Sequence, residues 1–330
     1  MNRPTTAVNP WFQCIIFVIS LVLLGIAAQG PMYRFTVRDQ LPELHKYGEK
    51  ISVPSQQIET AVHIHYISEA NIAKGEFTFT GFVLFEFDET EVSRTDISKF
   101  IVDGGEILER LEPAISQHNH KTVARYFIRA RCKNNLNFTA YPLDDHMLNI
   151  VISNPFIDAS RIAFVMKPTN FTCSPDIHIP NVRIHHTEAH AGYTYYQATA
   201  HPRMICNIAC DRIDIRHFVN LFLPLMLIFF MSLFAFSMDH REQYASVISL
   251  AAAGTPALLA YRFVIEAASP DVDYFMLSDY LFFLFLTLSF AIFFAALVAA
   301  TSSVRIKNMI IMSLYGITVL ACSALFYTIL

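Results

Sequence analysis

The feature that most constrains this 330-residue chain is its last third. From His217 onward four apolar segments succeed one another, at 218–236, 245–265, 277–299 and 309–330. Each is about the length that crosses the hydrocarbon core of a bilayer, roughly 20 residues at about 1.5 Å per residue. A chain built this way puts much of its surface in lipid, and the composition agrees. Charged residues make up 16%, against about 25% in soluble domains, and the mean hydropathy is +0.38. The 29 Phe against a single Trp suit lipid-facing helices. A net charge of −4 supplies no basic surface for nucleic acid.

The short connections set the topology. The first contains Arg241 and the third contains Arg305 and Lys307. The second carries Glu266, Asp271 and Asp273 and no base. The positive-inside rule places the first and third connections in the cytoplasm and the second outside. Ahead of these helices, Arg3 precedes an apolar run from Trp11 to Ala28 that closes on small residues. That is the layout of a secretory signal peptide, with an uncleaved anchor helix as the alternative, and either one exports the middle of the chain.

Between these regions the pattern changes to alternation. Segments 61–67, 78–87, 123–129, 146–152, 161–166 and 205–215 read as short strands separated by turn residues, the pattern of a β-sandwich. An amphipathic helix is expected only at 107–115. The expected fold class is therefore an extracellular or periplasmic antiparallel β-sandwich followed by a four-helix transmembrane bundle. Residues 1–30 form a signal peptide or N-terminal anchor, 31–216 the sandwich and 217–330 the helices.

Six cysteines are scattered without zinc or CxxC spacing. Cys14 and Cys322 fall in apolar stretches. Cys173 could bridge to Cys206 or Cys210 in an exported domain, or these could be buried free thiols. His63 and His65 share a strand face, and His185, His186 and His190 cluster, without a spacing specific to a metal. The chain carries no nucleophile–base motif, phosphate loop or intramembrane Asp/His pair, so neither an enzyme nor a cofactor is expected. The second apolar segment differs from the others. Ser246, Ser249, Ala253, Pro256 or Ala257, and Ala260 repeat at helical period, giving one small, mildly polar face. Such a face suits either a water-facing helix or a tightly packed bundle helix.

The order of export signal, sandwich and four helices resembles the pentameric ligand-gated (Cys-loop type) ion channels, especially the bacterial ones. Residues 141–146, Tyr-Pro-Leu-Asp-Asp-His, resemble that family's aromatic-Pro-Phe-Asp loop tip. The family's paired cysteines would fall at Asn134 and Leu148, so that disulfide is absent, as in bacterial members. Pro224 with Ser232 and Phe236 resembles the first membrane helix, and Arg212 stands where the family has an arginine before it. Residues 266–274, with Pro270 and Tyr274, resemble the loop after the second helix. The likeness spans about residues 58–330.

The resemblance implies a homopentamer in a lipid bilayer, the bacterial inner membrane. It would pass inorganic ions, cations by expectation, under control of an unknown small-molecule ligand. Its second helix would line the pore with Ser249, Ala253, Pro256, Ala260 and Phe263, with Glu242 at the cytoplasmic mouth. An alternative register substitutes Ser246, Leu250 and Ala257. Pro256 departs from the family, which has a large aliphatic residue at that level. Pro142, Asp144, Arg212, Glu266 and Pro270 would couple sandwich to pore, with an early acid such as Glu69. Tyr193, Tyr195, Tyr196 and Phe85 would contact the ligand. Arg262, the one ionisable residue well inside a span, either snorkels outward or pairs with Glu266 four positions on. The alternative function is a non-conducting membrane sensor or assembly subunit.

Overall fold

The computed structural model describes residues 8–32, 36–54, 56–118, 121–179, 182–211, 215–238, 243–299 and 302–329. It divides into two units. One is a β domain made of residues 37–137 and 145–213. The other holds residues up to 36, the short segment 138–144, and everything from 214 onward.

In the β domain, β1 (Gln56–Asn71), β2 (Glu76–Phe87), β4 (Gly105–Arg110), β5 (Ala114–His118), β6 (Lys121–Lys133), β8 (Ile162–Val165) and β9 (Phe171–Cys173) form one sheet in the order β4-β6-β2-β1-β8. In it β5 pairs with β6 and β9 with β1. The second sheet runs β10 (Arg183–Tyr196), β11 (Thr199–Asp211), β7 (His146–Ser153) and β3 (Ile101–Asp103). A single helical turn, α2 (Arg94–Ile97), precedes β3. Because β8 and β9 run parallel to β1, the first sheet is mixed and not antiparallel. Alternating inward residues build the core around Phe85, Phe100, Tyr126 and Phe164, whose rings lie 5.2–6.1 Å apart. The expected helix at 107–115 is instead β4 and β5. Pro113 forbids a helix interior there, and β6 supplies the backbone partners on both sides of it. The strand expected at 205–215 stops at Asp211, and a helix begins at Ile215.

The helical unit contains α1 (Pro10–Met32), α3 (Ile215–Leu233, continued by a 3₁₀ turn at Phe234–Ser237), α4 (Tyr244–Ala268), α5 (Leu277–Ala299) and α6 (Val304–Ile329). Five helices among the described residues are long and apolar enough to cross a membrane. The expectation of a β-sandwich followed by a four-helix bundle is therefore corrected. The order is helix, two-sheet β domain, then helical region, and α1 packs with α6 in the same unit as the later helices.

Aromatic rings tie the later helices together. Phe229 of α3 lies 5.8 Å from Phe285 of α5 and 5.7 Å from Tyr315 of α6, edge to face in both cases. α4 comes much closer to its neighbours. A Cβ on Gly254 would sit 2.1 Å from Ser232 Oγ and 2.9 Å from Ser289 Oγ. Small residues permit this approach, and the hydroxyls satisfy themselves locally. Ser232 donates to the Ile228 carbonyl at 2.9 Å, and Thr255 and Ser289 share a hydrogen bond of 3.1 Å.

All six cysteines are free. Burial pushes the Cys132 and Cys210 thiols up to about 12, with Asp211, Cys173 and Asp39 adding to the effect at Cys210.

Gly254→Ala is expected to cost about 1–3 kcal/mol through overpacking. Adding Ser232→Ala should recover most of that loss, read as the midpoint of thermal unfolding in detergent. The raised thiols give a second expectation. The unfolded chain loses these protons from about pH 8.5 while the folded chain keeps them. Stability therefore falls as pH rises, by up to about 1.4 kcal/mol per pH unit per thiol. Cys132→Ala should show a shallower alkaline decline than the parent by circular dichroism.

Candidate functional site

The residues that pack α4 against its neighbours are Val247, Ala251, Gly254, Leu258 and Ile265. At 100° per residue these fall on one side of the helix. Ser249, Ala253, Pro256, Ala260 and Phe263, the expected pore residues, fall on the opposite side and are all exposed in the single chain, as are Ser246 and Ala257. The exposed faces of the other spans are of another kind. α5 presents Phe283, Phe290 and Phe294, and α6 presents Ile317, Leu320 and Tyr327. Large apolar side chains of that sort suit acyl chains. The Ser249–Ala257 part of the α4 strip offers less apolar area per residue, while Leu259, Phe263 and Val264 expose large apolar side chains toward its C-terminal end. Pro256 stands inside α4, so its nitrogen offers no hydrogen to the Ala252 carbonyl. Glu242 lies outside the described residues.

At the C-terminal end of α4, the segment 138–144 is bound into the helical unit. The Phe138 amide donates to the Tyr274 hydroxyl at 2.8 Å. The Tyr141 hydroxyl donates to the Ala268 carbonyl at 2.6 Å. The Leu277 and Ser278 amides donate to the carbonyls of Thr139 (2.9 Å) and Tyr141 (3.2 Å). These last two amides belong to the first turn of α5, where no partner exists within the helix. Pro142, joined to Tyr141 by a cis peptide bond, and Asp144 are buried, as is Pro270. Tyr141 and Tyr274, which sequence did not single out for this role, make two of these contacts. Arg212 lies outside the described residues.

The base of this segment is closed within the β domain. The Asn134 side chain donates to the Asn149 carbonyl at 3.0 Å and accepts from the Asn149 amide at 2.7 Å. Asn134 is the position where the resembled family carries a half-cystine. Nearby, Asp39 accepts from the amides of Asn137 (2.6 Å) and Met147 (2.7 Å), and His146 Nδ1 lies 3.3 Å from the same carboxylate.

Arg262 does pair with Glu266, at 2.8 Å, and also with Asp279 in the first turn of α5. Asp279 additionally accepts the Met276 amide at 2.8 Å. The guanidinium lies 5.3 Å from the centre of the Phe282 ring. Arg262, Glu266, Met276 and Asp279 border a cavity of about 530 Å³ that Pro270, Asp271 and Asp273 also line. Glu266 is thus a partner of Arg262 within the helical unit. Asp279 was legible as the only acid in α5, close to the same end as Arg262, but sequence separation hid the pairing.

Of the expected ligand residues, Tyr193 and Tyr195 meet edge to face at 5.6 Å beside Tyr196, and Phe85 lies elsewhere. Phe85 is fully buried in the β core and Tyr193 is fully buried beside Tyr47, Ala159 and Ala200. Phe85 is hidden because it points into the core of its strand's sheet, and Tyr193 because the segment around His45 and Tyr47 lies over it. Tyr195 and Tyr196 are exposed, next to the β10–β11 hairpin turn at Gln197 and Ala198, both with positive φ. Glu69 binds Arg129 at 3.3 Å and accepts from Thr78 at 3.1 Å inside the β domain. Among the described residues no group of three or more His, Cys, Asp or Glu is arranged to hold a metal.

The sequence matches no protein-family model and no curated protein. The likeness to pentameric channels rests on the segments around Pro142, Pro224 and Pro270.

Asp279→Asn should destabilise the helical unit by about 1.5–3 kcal/mol, since a buried charge-assisted bond is lost. Glu266→Gln, at a position half open to solvent, should stay within about 1 kcal/mol. Thermal unfolding of the purified variants in detergent ranks the two, and equal losses would contradict the geometry.

Proposed function

We propose that this chain is one subunit of a pentameric ligand-gated ion channel, with the small, polar side of α4 lining the pore. The observation that carries this reading is the exposed Ser249–Ala253–Pro256–Ala260–Phe263 strip on the least buried of the four C-terminal spans. In hydrocarbon such a strip makes poor use of its contact area. Around a shared axis it faces water, where hydroxyls replace part of an ion's hydration shell and Phe263 provides an apolar constriction. The Ala252 carbonyl, which Pro256 cannot engage, adds a further oxygen.

Segment 138–144 supports a route from ligand to pore. It is covalently continuous with β6 and β7 and is hydrogen-bonded to the α4–α5 connection. A shift in those strands would pass through these hydrogen bonds to the end of α4. The exposed Tyr195 and Tyr196 at the hairpin tip supply aromatic faces for a ligand. By the distribution of Arg and Lys among the connections, the β domain lies outside a bacterial inner membrane. Pro256, in place of a large aliphatic gate, favours a second reading, a non-conducting sensor of the same assembly.

The test is to purify the chain, count subunits by single-particle imaging, and record currents from proteoliposomes while varying pH and small amines. Five copies and a current are expected. Cysteines at 249, 253, 260 and 263 should each let a hydrophilic thiol reagent reduce the current by more than half, and Val247→Cys and Leu258→Cys should not. A single-copy particle overturns the assembly. Five copies without current overturn conduction and leave the sensor.

A further inference from the structure

We infer that α1 is a permanent fifth membrane span, docked along α6 and the end of α3 and kept in the mature protein.

The helix has an N-terminus of its own. Asn9 accepts the Trp11 amide at 3.0 Å and Pro10 stands at the first helical position, the arrangement that starts a stable helix. Its burial is one-sided. Gln13, Ser20, Leu24 and Ala28 are buried, whereas Ile15, Val18, Val22 and Ile26 are exposed. Spacings of seven and four residues put the buried set on one stripe. A leader that is cut off after export needs only apolarity. It has no reason to carry a docking stripe with an amide inside it.

The stripe has defined partners. The Phe17 ring stacks on Phe230 of α3 at 4.3 Å. The Val8 amide donates to the Phe236 carbonyl, at the end of α3, at 3.1 Å. The pairs 8–236 and 17–230 rise in one helix as they fall in the other, so α1 runs antiparallel to α3. This direction also satisfies the charges. α1 starts at the end where α3 finishes, the side that Arg241, Arg305 and Lys307 mark as cytoplasmic, and Arg3 precedes that start in the sequence.

Gln13 is the costly residue of this arrangement, being wholly buried with both amide atoms lacking a protein partner among the described residues. On a helix free to turn in lipid the amide would point to the interface or to another helix. Its burial on the docking side, with α1 against α6, marks that side as protein-facing.

A docked α1 is independent of whether the assembly conducts. The test uses the full chain with a C-terminal affinity tag, purified from membranes. Intact mass and N-terminal sequencing should find α1 present. A mature chain that starts after residue 28 overturns the permanent span. A second arm reads the docking itself. In a Cys14→Ala background, Phe17→Cys with Phe230→Cys should form an intramolecular disulfide on mild oxidation in most molecules. The control pair Val18→Cys with Phe230→Cys should form several-fold less. Equal cross-linking of the two pairs, or cross-links only between copies, overturns the docking. A monomeric particle that retains and cross-links α1 would defeat the channel reading alone.

Discussion

α4 touches its neighbours at Gly254, where the Ser232 and Ser289 hydroxyls occupy the space a side chain would fill. This approach fixes how α4 is rotated about its own axis. With Gly254 turned inward, Ala251, Leu258 and Ile265 must turn inward too, at helical period. Ser249, Ala253, Pro256, Ala260 and Phe263 then have to face away, and Arg262 lies at the flank, where Asp279 can meet it. The tyrosine bridge from Tyr261 to the Asn220 carbonyl at 2.9 Å locks the same rotation further along the helix. Every side of α4, packed or exposed, is set by that one rotation.

The ionic cluster beyond it solves a problem of burial. A guanidinium in a membrane helix is costly alone and tolerable when its donors are used. Arg262 uses them on one solvent-open carboxylate and one buried carboxylate. Asp279 in turn satisfies the Met276 amide at the start of α5. Segment 138–144 does comparable work for the next two amides of the same helix. The α4–α5 connection is thereby held by backbone groups on one side and by charges on the other.

The segment's own base is closed by side-chain amide hydrogen bonds. Asn134 brackets the Asn149 backbone with two hydrogen bonds. A covalent bridge would depend on an oxidising environment, whereas the amide clamp needs only shelter from competing water. The thiols of the β domain are sheltered too, Cys132, Cys206 and Cys210 fully and Cys173 in part. Burial raises Cys132, Cys173, Cys206 and Cys210 alike, which keeps them protonated and slow to react.

Hydropathy and alternation alone determined that this chain has membrane-length helices, a strand-rich middle, and a small polar face on one helix, because these arise from spacings of 2 and 3.6 residues along a single segment. They also put Arg262 within about one turn of Glu266. Sequence could not show that α1 packs with α6, nor tell a helix from two short strands around Pro113. It could not show that Phe85 and Tyr193 point inward, or that Asp279, Tyr141 and Tyr274 complete the site. Those outcomes depend on which side of each element meets another, over separations of 127 residues between Tyr141 and Ala268 and 136 between Phe138 and Tyr274. Only tertiary packing fixes such pairings, since a local pattern constrains one element's face and not the identity of what covers it.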